Sequence, residues 1–177
     1  MTPLARNILL TLVAVAFCAA VLLLRRGEPV SLRQQAVVRE QLLPLRLDDT
    51  AGSLQALSQW QGKVLVLNFW ATWCPPCLQE IPGFSRLQNK FESIGVQFVG
   101  IGIDSADKIR DFARASPTAY PLLIGSAGTL AIARNLGNVG EGLPYTVVLT
   151  RDGLLHQTRL GAWPEEDLEK LLVELTR

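Results

Sequence analysis

The sequence predicts an α/β domain, a mixed central sheet flanked by helices, preceded by one N-terminal transmembrane helix. Three observations point there. "KVLVLNFW" (Lys63–Trp70) and "VQFVGIGI" (Val96–Ile103) are near-continuous apolar runs, the pattern of strands buried on both faces. Helical segments alternate with these runs, the order of a mainly parallel sheet covered on both sides. A late hairpin adds antiparallel strands: "YTVVLT" (Tyr145–Thr150) turns through Arg151-Asp152-Gly153 into "LLHQTRL".

The first segment differs in kind from the rest. Ile8–Leu24 carries no charge and lies between Arg6 and Arg25-Arg26. That is near the lower length for a spanning helix, about 17–20 residues, and longer than the apolar region of a typical signal peptide. An uncleaved anchor over residues 1–26 is expected, with a cleaved signal as the alternative. The flanking charges barely decide orientation. The expectation is a cytoplasmic N-terminus and an exported domain. Cys18 lies inside this run behind Phe17, which argues against a lipid-modified cysteine. Residues 27–40 are mostly polar and read as a linker or a juxtamembrane helix, and residues 41–177 as the folded domain. There is no internal repeat or low-complexity tract.

Within the domain, Leu45–Leu47 alternates like a short strand, followed by the turn "DDTAGS". Residues 75–93 read as a helix. Pro75 suits its first turn, where a missing N–H costs nothing, and Pro82 is expected to kink its interior. After Val96–Ile103, Asp104 or Ser105 caps a helix to about Ala115. "YPLLI" is a short extended piece, and Thr129–Leu136 a short helix. The last helix opens at Pro164 with Glu165, Glu166 and Asp167 at the positive end of its dipole. Its apolar stripe is Leu168, Leu171, Leu172 and Leu175.

A net charge of +1 over 177 residues, with no cluster of Lys or Arg, excludes nucleic acid as a partner. The chemistry concentrates in "LNFWATWCPPCLQEIP" (Leu67–Pro82). Cys74 and Cys77 are two of the three cysteines. A structural zinc site needs four ligands, and the remaining candidates are His156 and Cys18, so the set is incomplete. As a static staple, a bridge across two residues closes a loop too small to stabilise much. A redox pair has a physical cause. Cys74 follows a buried strand and sits where a helix presents unpaired N–H groups, which favour a thiolate. Cys77 lies one turn on, shielded and within reach. Cys74 is then the attacking nucleophile and Cys77 the resolving thiol. Pro75 and Pro76 stiffen the turn.

The segment "NFWATWCPPC" resembles the active site of the thioredoxin superfamily. With "VGIGID" to Asp104 and "GLPYTVVLTRDG" (Gly142–Gly153), the chain is similar to its exported, membrane-tethered TlpA/ResA-type thiol-disulfide oxidoreductases. The resemblance implies a thioredoxin core with a strand-helix element inserted before the final hairpin. Surplus elements do occur between Val96 and Leu136. It implies a cis-proline at Pro144 facing the cysteines, and a Leu143 backbone that pairs with the client chain. Trp73, Pro75, Pro76, Leu143 and Pro144 are the implied substrate-binding residues. Asn68 stands where cytosolic thioredoxins carry a buried aspartate and takes no proton. Glu80 matches the glutamate of this branch and is a candidate proton shuttle, with a solvated helix glutamate as the alternative. Trp70 and Phe69 read as core, and His156 as a surface residue.

The resulting expectation is an exported reductase of client disulfides that works without a cofactor or metal and is recharged by a membrane-bound electron donor. Cytochrome c maturation and copper-site or oxidase assembly are the implied client settings. Tyr145, where dedicated cytochrome c members carry an acid, weakens the first. The alternatives are a Cu(I) metallochaperone using the same two thiolates, a disulfide oxidase, and a thiol peroxidase. The peroxidase motif places a threonine three residues before its cysteine, whereas Thr72 is two before Cys74.

Overall fold

The computed structural model describes residues 31–177. The anchor assigned to Ile8–Leu24, Cys18 and the first part of the 27–40 segment lie outside the described residues. Among the described residues, no helix is long and apolar enough to cross a membrane.

The chain begins with helix α1, Leu32–Val37, capped by Ser31 and continued by a π-helical stretch, Val38–Leu42. A hairpin of β1 (Arg46–Asp48) and β2 (Leu54–Ala56) follows. Then come β3 (Val64–Trp70), α2 (Pro75–Phe91), β4 (Val96–Gly102) and α3 (Ala106–Ala115). The element β5 (Leu122–Ile124) with α4 (Ala127–Asn135) leads to β6 (Tyr145–Leu149), β7 (Leu155–Leu160) and α5 (Glu165–Thr176). The main sheet has the order β5-β4-β3-β6-β7. Strands β5, β4 and β3 are parallel, β6 runs antiparallel to β3, and β7 antiparallel to β6. This is a thioredoxin-like α/β fold with a mixed central sheet and flanking helices.

Period-two alternation in β3 builds two cores, one on each face. Val64, Val66 and Trp70 face Phe84 and Leu87 of α2 and Leu168 and Leu172 of α5. Leu65, Leu67 and Phe69 face α1, its continuation and α4. The same alternation puts Asn68 on the α2 face. Gly100 and Gly102 leave β4 without side chains where others crowd in. A Cβ at Gly100 would lie 2.6 Å from Leu122 Cδ2, and one at Gly102 2.7 Å from Ile109 Cδ1.

Of the two readings of the 27–40 segment, linker or juxtamembrane helix, the described part is helical from Leu32 and docks on the sheet. Val37, Val38 and Leu42 are buried, Gln34 Nε2 donates to Leu136 O at 2.7 Å, and Gln35 brackets Leu155. Its apolar residues are too few for a periodic signal, so the sequence reads as polar. Helix α2 runs unbroken through Pro82. Strand β2 has no signal of its own and forms because β1 pairs with it.

Candidate functional site

The site forms where β3 hands over to α2. Trp70 O accepts from Ile103 N at 2.7 Å, which ties the end of β3 to the end of β4. Thr72 Oγ1 donates to Asp104 Oδ2 in a short hydrogen bond. Asp104 Oδ1 also accepts from Ser105 N at 2.7 Å and pairs with Lys108 at 3.4 Å. Burial alone would raise the Asp104 pKa, and these bonds outweigh it and hold the carboxyl below its ordinary value. The loop carrying Trp73 and Cys74 is therefore tethered to a partly buried carboxylate.

Cys74 is the N-cap of α2, and its Sγ is joined to Cys77 Sγ in a disulfide. Cys74 is 4% exposed and Cys77 0%. Pro75 and Pro76 occupy the exposed first turn, where neither missing N–H breaks a helical bond. Trp73 stands exposed beside them.

Glu80 is three residues beyond Cys77, on the same helix face. It is 7% exposed, so it is not the solvated side chain that a helix position alone allows. Its Oε1 accepts from Asn68 Nδ2 at 2.7 Å and its Oε2 from Trp163 N at 3.0 Å. Asn68 Nδ2 also donates to Thr146 Oγ1 at 3.1 Å. Burial pushes the Glu80 carboxyl up to about 7, against the downward pull of the Trp163 and Asn68 hydrogen bonds and the Arg159 charge. A carboxyl at that value exchanges protons readily near neutral pH.

The Leu143–Pro144 peptide bond is cis. Pairing of Phe69 with Tyr145 places this segment beside the end of β3, next to the turn that carries Cys74. Leu143 packs against the core cluster that includes both cysteines. Trp70 and Phe69 are fully buried core residues, and His156 is exposed on β7. The proposed site residues thus gather at one end of the sheet. Sequence reading missed Thr146 and Trp163. Thr146 is signalled only by the β3–β6 register, and Trp163 contributes a backbone N–H that no motif marks. Among the described residues no cluster of three or more His, Cys, Asp or Glu side chains could hold a metal.

Comparisons with known proteins agree with this fold. The sequence profile of the AhpC/TSA family matches residues 38–158. The chain is 30% identical over 129 residues to the thiol-disulfide oxidoreductase ResA of Bacillus thuringiensis subsp. konkukian (strain 97-27), covering 72% of each protein. It is 30% identical over 130 residues to the thioredoxin-like protein YneN of Bacillus subtilis (strain 168), covering 71% of this chain and 73% of that one. A crystal structure of a thioredoxin-family thiol:disulfide interchange protein from Chlorobium tepidum TLS superposes with a TM-score of 0.69 at 23% identity. The match covers 75% of this chain and 93% of that one, a likeness of fold. The chain belongs to the AhpC/TSA family and, within it, to the ResA-like thiol-disulfide oxidoreductases.

Proposed function

We propose that the chain is an exported, membrane-tethered reductase of disulfides in client proteins, with Cys74 as nucleophile and Cys77 as resolving thiol. The observation that carries this reading is the Cys74–Cys77 pair at the start of α2 with a buried, near-neutral carboxyl one turn further on. In the reduced protein the Cys74 thiolate attacks a client sulfur, forms a mixed disulfide and releases the first client thiolate. Glu80 takes the proton of the Cys77 thiol. The Cys77 thiolate attacks Cys74 Sγ, the second client thiolate leaves, and the enzyme disulfide forms. Two electrons pass to the client for each pair of enzyme thiols oxidised. Trp73, Pro75, Pro76 and the Leu143–Pro144 segment form the surface on which the client chain lies, and Leu143 offers it backbone pairing.

The reductive direction rests on the resemblance to the tethered branch. So do the anchor at residues 8–24, the membrane-bound electron donor that restores the thiols, and clients drawn from cytochrome c maturation or copper-site and oxidase assembly. Thr72 speaks against peroxidase chemistry, because its hydroxyl is donated to Asp104.

The reduction potential of the Cys74–Cys77 couple tests the direction. A value near about −270 mV supports a reductant, and one near about −120 mV makes the protein an oxidase. Copper titration of the reduced protein tests the function class. Stoichiometric Cu(I) binding without disulfide exchange would replace this reading with a metallochaperone.

A further inference from the structure

Three buried side-chain atoms have no hydrogen-bond partner among the described residues: Asn68 Oδ1, Trp70 Nε1 and the Tyr120 hydroxyl. Such atoms are scarce in folded proteins, because each has left water without recovering the bonds it made there. Their chemistry is complementary. The indole N–H only donates, the carboxamide oxygen only accepts, and the hydroxyl does either. Burial and the Glu80 charge both raise the Tyr120 pKa, so the hydroxyl keeps its proton and stays a donor.

The three residues meet around Gly100. In the β3–β4 register Asn68 stands beside Gly100, and alternation turns both toward α2, with Trp70 and Phe98. A Cβ at Gly100 would lie 3.2 Å from Trp70 Nε1 and 3.4 Å from Tyr120 Cε2, the ring carbon next to the one that bears the hydroxyl. Tyr120 is held there by its neighbour, since Gly100 N donates to Pro121 O at 3.0 Å. A side chain at position 100 would separate the indole from the phenol, and glycine lets them approach. Tyr120 and Leu122 also line a surface cleft of about 260 Å³, bounded by Asp49, Thr50, Pro117 and Thr118. Polar atoms with unused bonding capacity thus lie behind side chains that solvent reaches.

We propose that Asn68 Oδ1, Trp70 Nε1 and the Tyr120 hydroxyl hold one buried water, admitted from this cleft, and that Tyr120 is a positioning residue that acts through it on Asn68 and Glu80. The water accepts from Trp70 and Tyr120 and donates to Asn68, the three bonds typical of an internal water. The Asn68 carboxamide is then fixed at its oxygen as well as at Nδ2, which donates to Glu80 Oε1 and Thr146 Oγ1. Every donor in the chain from Tyr120 to Glu80 points toward the carboxylate, so each bond strengthens the next and favours the ionised form. The other groups that face Glu80 are Cys77 one turn back on its own helix, the Trp163 N–H and Arg159. Arg86 and Glu165 line a cleft with Glu80 and are paired with each other. The consequence for client reduction rests on the reading of Glu80 as acceptor of the Cys77 proton, and the water site itself does not.

The test uses the full-length protein in detergent micelles, isotope-labelled at the tryptophan indole nitrogens and the glutamate carboxyl carbons. The Trp70 indole proton should give a rotating-frame Overhauser peak to water, whose sign separates a bound water from proton exchange. Tyr120→Phe should abolish that peak and move the Glu80 titration up by about half a pH unit, read from its carboxyl carbon. A purely structural role would lower the urea midpoint and leave the titration in place. A ring-fluorinated tyrosine placed at position 120 keeps the hydroxyl and makes it a stronger donor. It should move the titration down, and it carries the test if Tyr120→Phe does not fold. No water peak in the unaltered protein, or a titration indifferent to both changes, overturns the inference. Glu80→Gln separates the underlying reading. If it leaves the reduction of a disulfide-bonded peptide at neutral pH as fast as before, Glu80 is not the proton acceptor, while the water peak and the Glu80 titration still judge the water site alone.

Discussion

Glu80 has an ordinary carboxyl on an extraordinary site: the two hydrogen bonds it accepts do not fully replace the water it has lost. Its pKa rises from 4.5 to about 7. Below about pH 4.5 the group is protonated in both the folded and unfolded chain and has no effect on the balance. Between there and about pH 7 only the unfolded chain has released its proton, so the folded state loses relative stability as pH rises. At about 1.4 kcal/mol per pH unit, the full cost above pH 7 is about 3 kcal/mol. Glu80→Gln is expected to flatten this slope. Urea unfolding of the oxidised protein at pH 5 and pH 8 checks it, and parallel losses in the two proteins would contradict the assignment. The same change should slow client reduction at neutral pH by about a hundredfold, the usual contribution of a positioned general acid or base. The cysteines are tested separately. Cys77→Ser should accumulate mixed disulfides with clients on non-reducing gels, and Cys74→Ser should accumulate none. Equal trapping would mean that attacker and resolver are wrongly assigned.

The turn between β3 and α2 is held by packing and by the Thr72–Asp104 hydrogen bond. Thr72→Val keeps the shape of the side chain and leaves the partly buried Asp104 carboxylate one donor fewer, with Ser105 and Lys108 still in place. The expected loss is about 1.5–3 kcal/mol, the range for one hydrogen bond to a charged group, read from the urea midpoint. Helix α1 with its continuation is a second case. Leu42 is fully buried against the sheet face formed by Leu65, Leu67 and Phe69. Leu42→Ala should cost about 2–5 kcal/mol, as large-to-small changes in a packed core do. A loss under about 0.5 kcal/mol would mean that the segment is a detachable linker after all. Helix α5 is tied across to α2 by Arg86–Glu165 at 2.6 Å and Lys90–Glu169 at 2.5 Å. These exposed pairs orient the helix more than they stabilise it.

For the molecule as a whole, the open property is its tether. Full-length chain expressed in a bacterium should stay in the membrane pellet through alkaline carbonate extraction. A chain starting at Ser31 should be released. Recovery of a product shortened by the N-terminal segment in the soluble exported fraction would mean that residues 1–26 are a cleaved signal. The sequence was enough to read the fold class, because strands buried on both faces must be apolar throughout and helices must show one apolar stripe. It was enough to single out Cys74 and Cys77, which the structure joins in a disulfide, because a Cys-x-x-Cys at a strand-to-helix boundary places a thiol against unpaired N–H groups. Even the side of the sheet taken by Asn68 follows from alternation with Val66 and Trp70. What the sequence left open depends on contacts between distant residues. Glu80 reads equally well as solvated or buried until Trp163, 83 residues away, brings its N–H to the carboxylate. Gln34 and Gln35 look like linker residues until Leu136 and Leu155 supply their partners. Asn138 looks like any loop residue until its amide is seen closed on Gly142. Periodicity records which face a residue turns to, whereas desolvation and hydrogen-bond pairing depend on everything that packs against that face, and only the tertiary structure decides those.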